Sequence, residues 1–300
     1  MQPADTTAPL QIEGKHIRVT GRFLRLARIR SEGWVFIEDP ERFLAALRTS
    51  CSKADLFSFT RRITDVEPLG YHSEPNPIAV LTIETYEKWW KSQINDKTRN
   101  MVRKADKKGV NIRLTEFNDD LVRGIQAIHD ESPVRQGKLF EHYGKDFETV
   151  KREHGTFLDR SVFIGAYYGE ELIGFIKVVH DGSSAGIMQI LSKLCHRDKA
   201  PTNALMAKAV EVCTERQIRH LIYGVWGRSG LSDFKAANAF ECHQTPRYFV
   251  ALTLKGKLAL KLGLHRRLVD LLPPRLTRMA ADLRRRVRLL KPLKLVEADR

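Results

Sequence analysis

The stretch from His220 to Val250, HLIYGVWGRSGLSDFKAANAFECHQTPRYFV, limits what this chain can fold into more than any other. Leu221, Tyr223 and Val225 alternate with Ile222 and Gly224, a period of two that predicts a strand, and Gly227 and Gly230 end it. Leu231, Phe234, Ala237 and Asn238 then recur at helical spacing, and Tyr248, Phe249 and Val250 restore a strand after Pro246. A strand that stops in glycines ahead of a short helix leaves a crevice at its carboxyl end, where open α/β sheets hold ligands. Lys235 belongs to that helix and is expected in the crevice.

Upstream, the patterning predicts a strand over 110–116, a helix over 118–130, a loop, and a helix over 145–158. Three strands over 162–168, 172–180 and 185–191 follow, joined by turns at Gly169-Glu170 and Asp181-Gly182, and then a helix over 202–216. A single long helix is expected over 84–108, with Tyr86, Trp89, Trp90, Ile94, Met101 and Ala105 on its apolar side and Gly109 just past its end. Its cations, Lys97, Arg99, Arg103, Lys104, Lys107 and Lys108, read as a solvated face, with phosphate contact as the alternative. Residues 15–83 alternate strand-like and helix-like segments, and Asp39-Pro40 is a good N-cap and first-turn pair for a helix through Phe43, Leu44 and Leu47.

The 220–250 segment resembles the C-terminal signature of the Fem-type (FemAB-like) branch of the GNAT acyltransferases. There a Gly-Leu pair, then Phe-Lys, then a Phe-Gly pair lead into the closing strands; Gly230, Leu231, Phe234, Lys235 and Phe240 match, and Glu241 departs from the usual glycine. The resemblance reaches back to about Glu84, roughly half the chain. It implies a mixed α/β (α+β) fold with a GNAT-like central mixed sheet flanked by helices, in two GNAT-like halves. The expected domains are a degraded GNAT-like half (1–83), a connecting helix (84–109), the GNAT acyltransferase domain (110–254) and a basic amphipathic helical tail (255–300). The residues alone reach a mixed α/β domain with a cationic cleft; the reaction class comes from the resemblance.

That class is N-acyl transfer, which needs a positioned ester or thioester carbonyl, a hydrogen bond to the oxyanion that forms, and a route for the amine's proton. In the GNAT fold two neighbouring strands splay apart and expose main-chain N–H groups to the carbonyl. The matching segments here are GIMQILSK and HLIYGVWG, which puts the oxyanion donor near Gln189 to Leu191, with Ile190 and Leu191 against the donor. CoA-using members follow the first of these strands with a glycine-rich turn that holds the pyrophosphate at a helix N-terminus. No glycine lies between Leu191 and Lys208, so the expected donor contacts are Lys199, Thr202 as a helix cap, and Asn203, with Arg197 adding charge. The carrier is therefore left open among acyl-CoA, acyl carrier protein and aminoacyl-tRNA, with free acetyl-CoA disfavoured and no tightly bound cofactor expected.

The loop ESPVRQGKLFEHYGKDFETVK gathers Arg135, Gln136, Lys138, His142 and Tyr143 where the acceptor is expected. Arginine suits a carboxylate or phosphate through bidentate pairing, and His142 or Tyr143 could relay the amine's proton. The bland alternative is a polar surface loop anchored by Phe140 and Tyr143. Arg228 and Lys235 complete the expected substrate contacts, with Glu131, Asp233 and Glu241 as nearby acids of no assigned role.

Four cysteines, Cys51, Cys195, Cys213 and Cys242, are too few and too spread for a disulfide framework or a zinc site, and no metal site is expected. A composition 42% hydrophobic and 29% charged is that of a globular protein, MQPADTTAPL reads as a frayed end rather than a secretion signal, and a cytoplasmic protein is expected. The net charge of +15 is uneven: 255–300 carries 14 Lys or Arg against 4 Asp or Glu. Leu276, Met279, Ala280, Leu283, Val287 and Leu290 make an apolar stripe there among arginines, which suits an anionic membrane surface at the inner face, packing on the protein's own body, or RNA such as tRNA; no DNA partner is expected. The overall expectation is transfer to an amine on a cell-envelope, polysaccharide or lipid precursor. Its rivals are a non-catalytic GNAT-fold protein that binds a carrier or RNA, and a membrane-surface adaptor.

Overall fold

A computed structural model describes residues 10–50, 54–227 and 230–266. Arg228, Cys51, the first nine residues and the apolar stripe over 276–290 lie outside the described residues. The chain divides into two compact units, one of Met1–Arg30, Asp39–Ser58 and Phe249–Arg300, the other of Ser31–Glu38 and Phe59–Tyr248.

In the first unit, β1 (Leu10–Ile12), β2 (Lys15–Thr20) and β3 (Leu26–Ile29) pair antiparallel in order, and β4 (Leu56–Thr60) joins β3 in parallel. Helix α1 (Pro40–Ser50) buries Phe43, Leu44 and Leu47, and the Asp39 carboxylate accepts the Arg42 N–H at 3.1 Å, as the Asp-Pro pair predicts. Asp55 ties this unit together by accepting from Arg25 N, Thr253 Oγ1 and Lys255 Nζ at 2.9, 3.0 and 3.1 Å.

The second unit carries the site. Its elements are β5 (His72–Thr82), α2 (Tyr86–Lys88) running into a π-helical turn at Trp89–Gln93, α3 (Asp96–Lys107), β6 (Val110–Thr115) and α4 (Asp119–His129). The small hairpin β7 (Val134–Arg135) and β8 (Lys138–Leu139), α5 (Phe147–His154), β9 (Ser161–Tyr168), β10 (Glu171–Asp181) and β11 (Ser184–Ser192) follow. Next come α6 (Pro201–Glu215), β12 (His220–Val225), α7 (Gly230–Ala237) and β13 (Glu241–Ala251), of which the residues from Phe249 on, like α8 (Leu254–Lys261), belong to the first unit. The sheet order is β13-β5-β12-β11-β10-β9-β6, and from β5 to β6 only β11 and β12 run parallel.

Strands β9 and β10 read as nearly unbroken apolar runs because both faces are covered. Phe163, Leu172 and Phe175 pack with α4 and α5, whereas Ile164, Ile173 and Ile176 pack in the cluster that contains α6. That arrangement hangs α4 and α5 over one face of the strands that lead into β11, and α6 over the other.

Three expectations need correction. The helix over 84–108 is two helices, because Asn95 turns extended (φ −84°, ψ 168°) and its side chain accepts the Thr98 N–H to start α3. Arg99 secures the break by donating to the carbonyls of Trp90 and Ile94 at 2.8 and 2.6 Å, so this cation is structural rather than phosphate-facing. The helix over 145–158 is confined to Phe147–His154, with Asp146 as its cap and Gly155 at its end. The closing strand starts at Glu241, not after Pro246; its first half alternates exposed and half-buried polar residues and so carries no apolar period.

Candidate functional site

The parallel pair β11/β12 is short. Ser184, Ala185 and Gly186 pair with His220, Leu221 and Ile222, and beyond Gly186 and Ile222 the strands part. Each carries an irregularity where they separate. In β11, Lys177 pairs with Gln189 and Val178 with Ile187, which leaves Met188 bulged; in β12 the register against β5 slips between Ile222 and Val225, with Gly224 at φ +59°. An extra residue in one strand of a pair bends that strand and increases its twist, and the left-handed φ at 224 suits glycine.

The parting frees one edge of β11. The Lys193 N–H donates to Ile173 O on β10 at 2.8 Å. Alternation along an antiparallel strand then turns the N–H groups of Gln189 and Leu191 toward β10 and that of Ile190 toward the side that β12 has left. Ser192, in phase with Ile190, sends its carbonyl to the same side, where Arg135 Nη1 donates to it at 2.8 Å.

Beside the parting lies a cavity of about 220 Å³, walled by Trp34, Phe36, Ile63, Ile78, Ile187 and Ile222, and reaching Gly186, Gly224 and Val225. The indole of Trp34 lies against the main chain of Gly186, so close that a β-carbon there would sit 2.3 Å from the ring. The charged groups on the wall are bonded within the protein. Arg62 pairs with Glu38 and Asp181 at 2.7 Å each, Arg247 holds both oxygens of Glu32 at 2.8 and 2.9 Å, and Arg160 donates to Trp34 O.

The two cations singled out in the sequence sit at the two margins of the gap. Lys235, 3% exposed, donates to Val225 O at the end of β12 at 2.8 Å and lies 4.7 Å from the Tyr223 ring; burial lowers its pKa. Arg135 binds the end of β11 through Ser192 O, the end of α4 through Ile128 O at 2.8 Å, and Glu131 at 3.0 Å. Its guanidinium is thus engaged within the protein rather than presented to an acceptor. Helix α7 is itself clamped, since Trp89 Nε1 donates to Asn238 O at 3.2 Å and Thr98 Oγ1 to Ala237 O at 3.0 Å.

On the α4–α5 face of β11, Gln189 Oε1 lies 3.3 Å from Nε2 of buried His129. His142 packs on His129 with ring centroids 4.9 Å apart, and its Nδ1 is 3.1 Å from Lys145 Nζ, which is paired with Glu153 at 2.7 Å. Burial holds His129 at a pKa of about 4 and His154 at about 3, and it also lowers His142, so these imidazoles are neutral at neutral pH. Lys177, wholly buried beside them, donates to His154 O and Thr156 O, and burial lowers its pKa to about 8. Gln136, Lys138 and Tyr143 are exposed on the β7–β8 hairpin and its exit, with Gln136 and Gly137 both at positive φ in the turn.

After β11 the expected donor contacts are engaged elsewhere. Thr202 is not the cap of α6: Ala200, at φ +54°, occupies that position, and Thr202 Oγ1 lies 2.9 Å from Ser192 Oγ. Lys199 stacks on Tyr168 at 4.7 Å and lies 3.5 Å from Asp198, and the Asn203 N–H bonds Ala200 O. The N–H groups of Leu194 and Cys195 point at the Glu131 carboxylate, at 2.5 and 2.8 Å. Burial and Glu131 push the Cys195 thiol up, away from the thiolate form.

Sequence reading passed over His129, Glu131 and Trp34. His129 was legible only as the end of an amphipathic helix, Glu131 as an acid without a role, and Trp34 lies far away in sequence from the strand it covers.

No family model matches the chain, and no curated protein matches it in sequence. Solved structures do match. FemX does so at 12% identity over 82% of this chain and 85% of its own, with a TM-score of 0.61. L-PGS from Bacillus licheniformis matches at 13% identity over 86% and 88%, with a TM-score of 0.56. The C-terminal domain of a putative lysylphosphatidylglycerol synthetase from Agrobacterium fabrum matches at 14% identity over 84% and 86%, with a TM-score of 0.55. At such identities the likeness is one of fold: the chain has the mixed α/β fold that FemX and these synthetase structures share.

Proposed function

We propose that this protein is an acyltransferase that moves an apolar acyl group, or an aminoacyl group with an uncharged, apolar side chain, from an ester or thioester carrier to an amine, in the gap between β11 and β12. The observation that carries the reading is the parting of those strands after Gly186 and Ile222, beside an apolar cavity. In the proposed reaction the carbonyl lies against the Ile190 N–H, which donates to the oxyanion as the amine attacks. Arg135 and Lys235, buried at the ends of the two strands, add positive potential where that negative charge develops, and buried charges act more strongly there than in water. The amine's proton has the neutral imidazole of His142, packed on buried His129 on the Gln189 side of β11, as its acceptor, and it leaves with the thiol or hydroxyl of the departing carrier.

The character of the cavity supports the choice of acyl group. Its two acids, Glu32 and Asp181, are already paired with Arg247 and Arg62, so a cationic side chain such as lysyl finds no free counter-ion there. A volume of about 220 Å³ suits one amino-acid side chain or a short aliphatic chain. The acceptor amine is proposed to belong to a cell-envelope, polysaccharide or lipid precursor, with an anionic membrane surface as the place of encounter.

The reading is tested with hydroxylamine as a small surrogate amine, following hydroxamate formation from acyl-CoA, acyl carrier protein and aminoacyl-tRNA donors that bear apolar or cationic acyl groups. At least one carrier with an apolar acyl group is expected to react, ahead of its lysyl counterpart. Ile190→Pro removes the outward N–H without costing a bond to β10 and, provided circular dichroism and melting show the fold intact, should lower the rate about 10²- to 10³-fold, whereas Ile190→Val should not. No product from any carrier, or an Ile190→Pro protein as fast as wild type, would sink the proposal.

A further inference from the structure

The turn that leaves β11 holds an anion already, and the anion is the protein's own. Two successive main-chain N–H groups, of Leu194 and Cys195, converge on the Glu131 carboxylate at 2.5 and 2.8 Å, and Arg135 Nη2 reaches it at 3.0 Å. Consecutive N–H groups beside a guanidinium are a general anion-binding arrangement, as apt for a phosphate as for a carboxylate. Glu131 is 17% and Arg135 10% exposed in their side chains, so the pair is largely shut off from water. Glu131 stands two residues past the end of α4, and Arg135 opens the hairpin that follows; the α4 exit is therefore folded around this contact.

The turn is also directly downstream of Ile190, Leu191 and Ser192. A carrier whose acyl carbonyl lies against the Ile190 N–H and that extends along β11 must pass it. We infer that Glu131 is a resident anion that fills a main-chain anion site at the end of β11 and thereby bars donors that would anchor a phosphate there. Donor choice then rests on the acyl group and on carrier surfaces away from this turn. The consequence for donor choice rests on the acyl-transfer reading; the occupancy of the site by Glu131 does not, and binding measurements alone decide it.

Wild type, Glu131→Ala and Glu131→Gln are titrated with pyrophosphate and with CoA by calorimetry, and in parallel Cys195, an exposed residue whose thiol also contacts Glu131, is alkylated with and without the anion. In Glu131→Ala the two N–H groups lose their acceptor and the Arg135 guanidinium loses its carboxylate while keeping Ser192 O and Ile128 O. Pyrophosphate is expected to bind this variant at least about tenfold more tightly than wild type, to raise its melting temperature, and to slow alkylation at Cys195. Acetate should restore stability to Glu131→Ala and leave wild type unchanged. Glu131→Gln keeps the volume and one acceptor oxygen, so it serves if the alanine variant folds poorly, and it should show the same gain in smaller measure. Pyrophosphate or CoA that protects Cys195 equally in wild type would overturn the inference, as would folded variants that gain no anion binding. Hydroxamate assays on the same proteins read transfer separately, so a catalytically inert wild type would not be mistaken for a failed anion site.

Discussion

At the scale of single residues, the side chains with the most suggestive chemistry are mostly bonded to the protein itself. Arg135 and Lys235 each donate to the terminal carbonyl of a parted strand, which makes them supports of the gap rather than hands reaching for a substrate. An ammonium as buried as Lys235 is costly unless bonded, and Val225 O supplies that bond. Gly186 is the reverse case, a residue with no chemistry that decides the shape of the cavity. Alanine there would collide with Trp34, and Gly186→Ala should cost about 1–3 kcal/mol in urea unfolding. In Trp34→Ala the same substitution should cost far less, a coupling that a double-mutant cycle measures; equal costs in both backgrounds would mean that the indole is not seated on Gly186. The lysine was legible in the sequence because it falls among apolar positions at helical spacing. Trp34 against Gly186 was not, since nothing local links them.

At the scale of elements, the apolar periods were legible in the sequence, and of the two caps expected there Asp39 is one and Thr202 is not. Asp39, Asn118 and Asp146 all accept the N–H three residues on, and the strands and helices from Val110 to Glu215 fall within a few residues of their expected places. The exception is instructive. Apolar spacing carries smoothly through Tyr86, Trp89, Trp90 and Ile94, yet Asn95 breaks the helix because a side chain that caps one helix can also end the one before it. Asn95→Ala should therefore cost about 1 kcal/mol and loosen α7, whose end is held by Trp89 and Thr98 on either side of the break. Hydrogen exchange of the Asn238 and Phe240 amides, whose N–H groups bond back to Lys235 O, would report it; unchanged protection would show that the clamp does not depend on the break. The two bulges that part β11 from β12 were equally hidden, since Met188 and Gly224 look like ordinary strand residues until their partners are known.

At the scale of the whole molecule, buried neutral histidines couple stability to pH. His129 at about 4 and His154 at about 3 titrate below the ordinary histidine value, so the unfolded chain takes up protons that the folded one refuses. The stability that follows from this is fully present above about pH 6.5 and is lost as pH falls toward about 4, with His129 alone contributing up to about 3 kcal/mol. Urea unfolding from about pH 7 to about pH 4.5 should show that loss, and His129→Leu should flatten it; a parallel slope in the variant would assign the loss to other groups. Lys177, lowered to about 8 by burial, acts in the same direction on the alkaline side: above about pH 8 the folded chain releases a proton that the unfolded one still holds, so this group adds stability as pH rises toward the ordinary lysine value.

The sequence by itself determined the order of strands and helices from Val110 to Glu215 and the Asp39 cap of α1, because each of these is written in neighbours a few residues apart. Only the tertiary structure decided where β11 and β12 part, that Trp34 closes the cavity beside them, and that Glu131 rather than a ligand fills the turn after β11. Those outcomes depend on groups brought together from distant parts of the chain, and a polar side chain looks the same in a sequence whether it is left to meet a substrate or is already bonded within the fold.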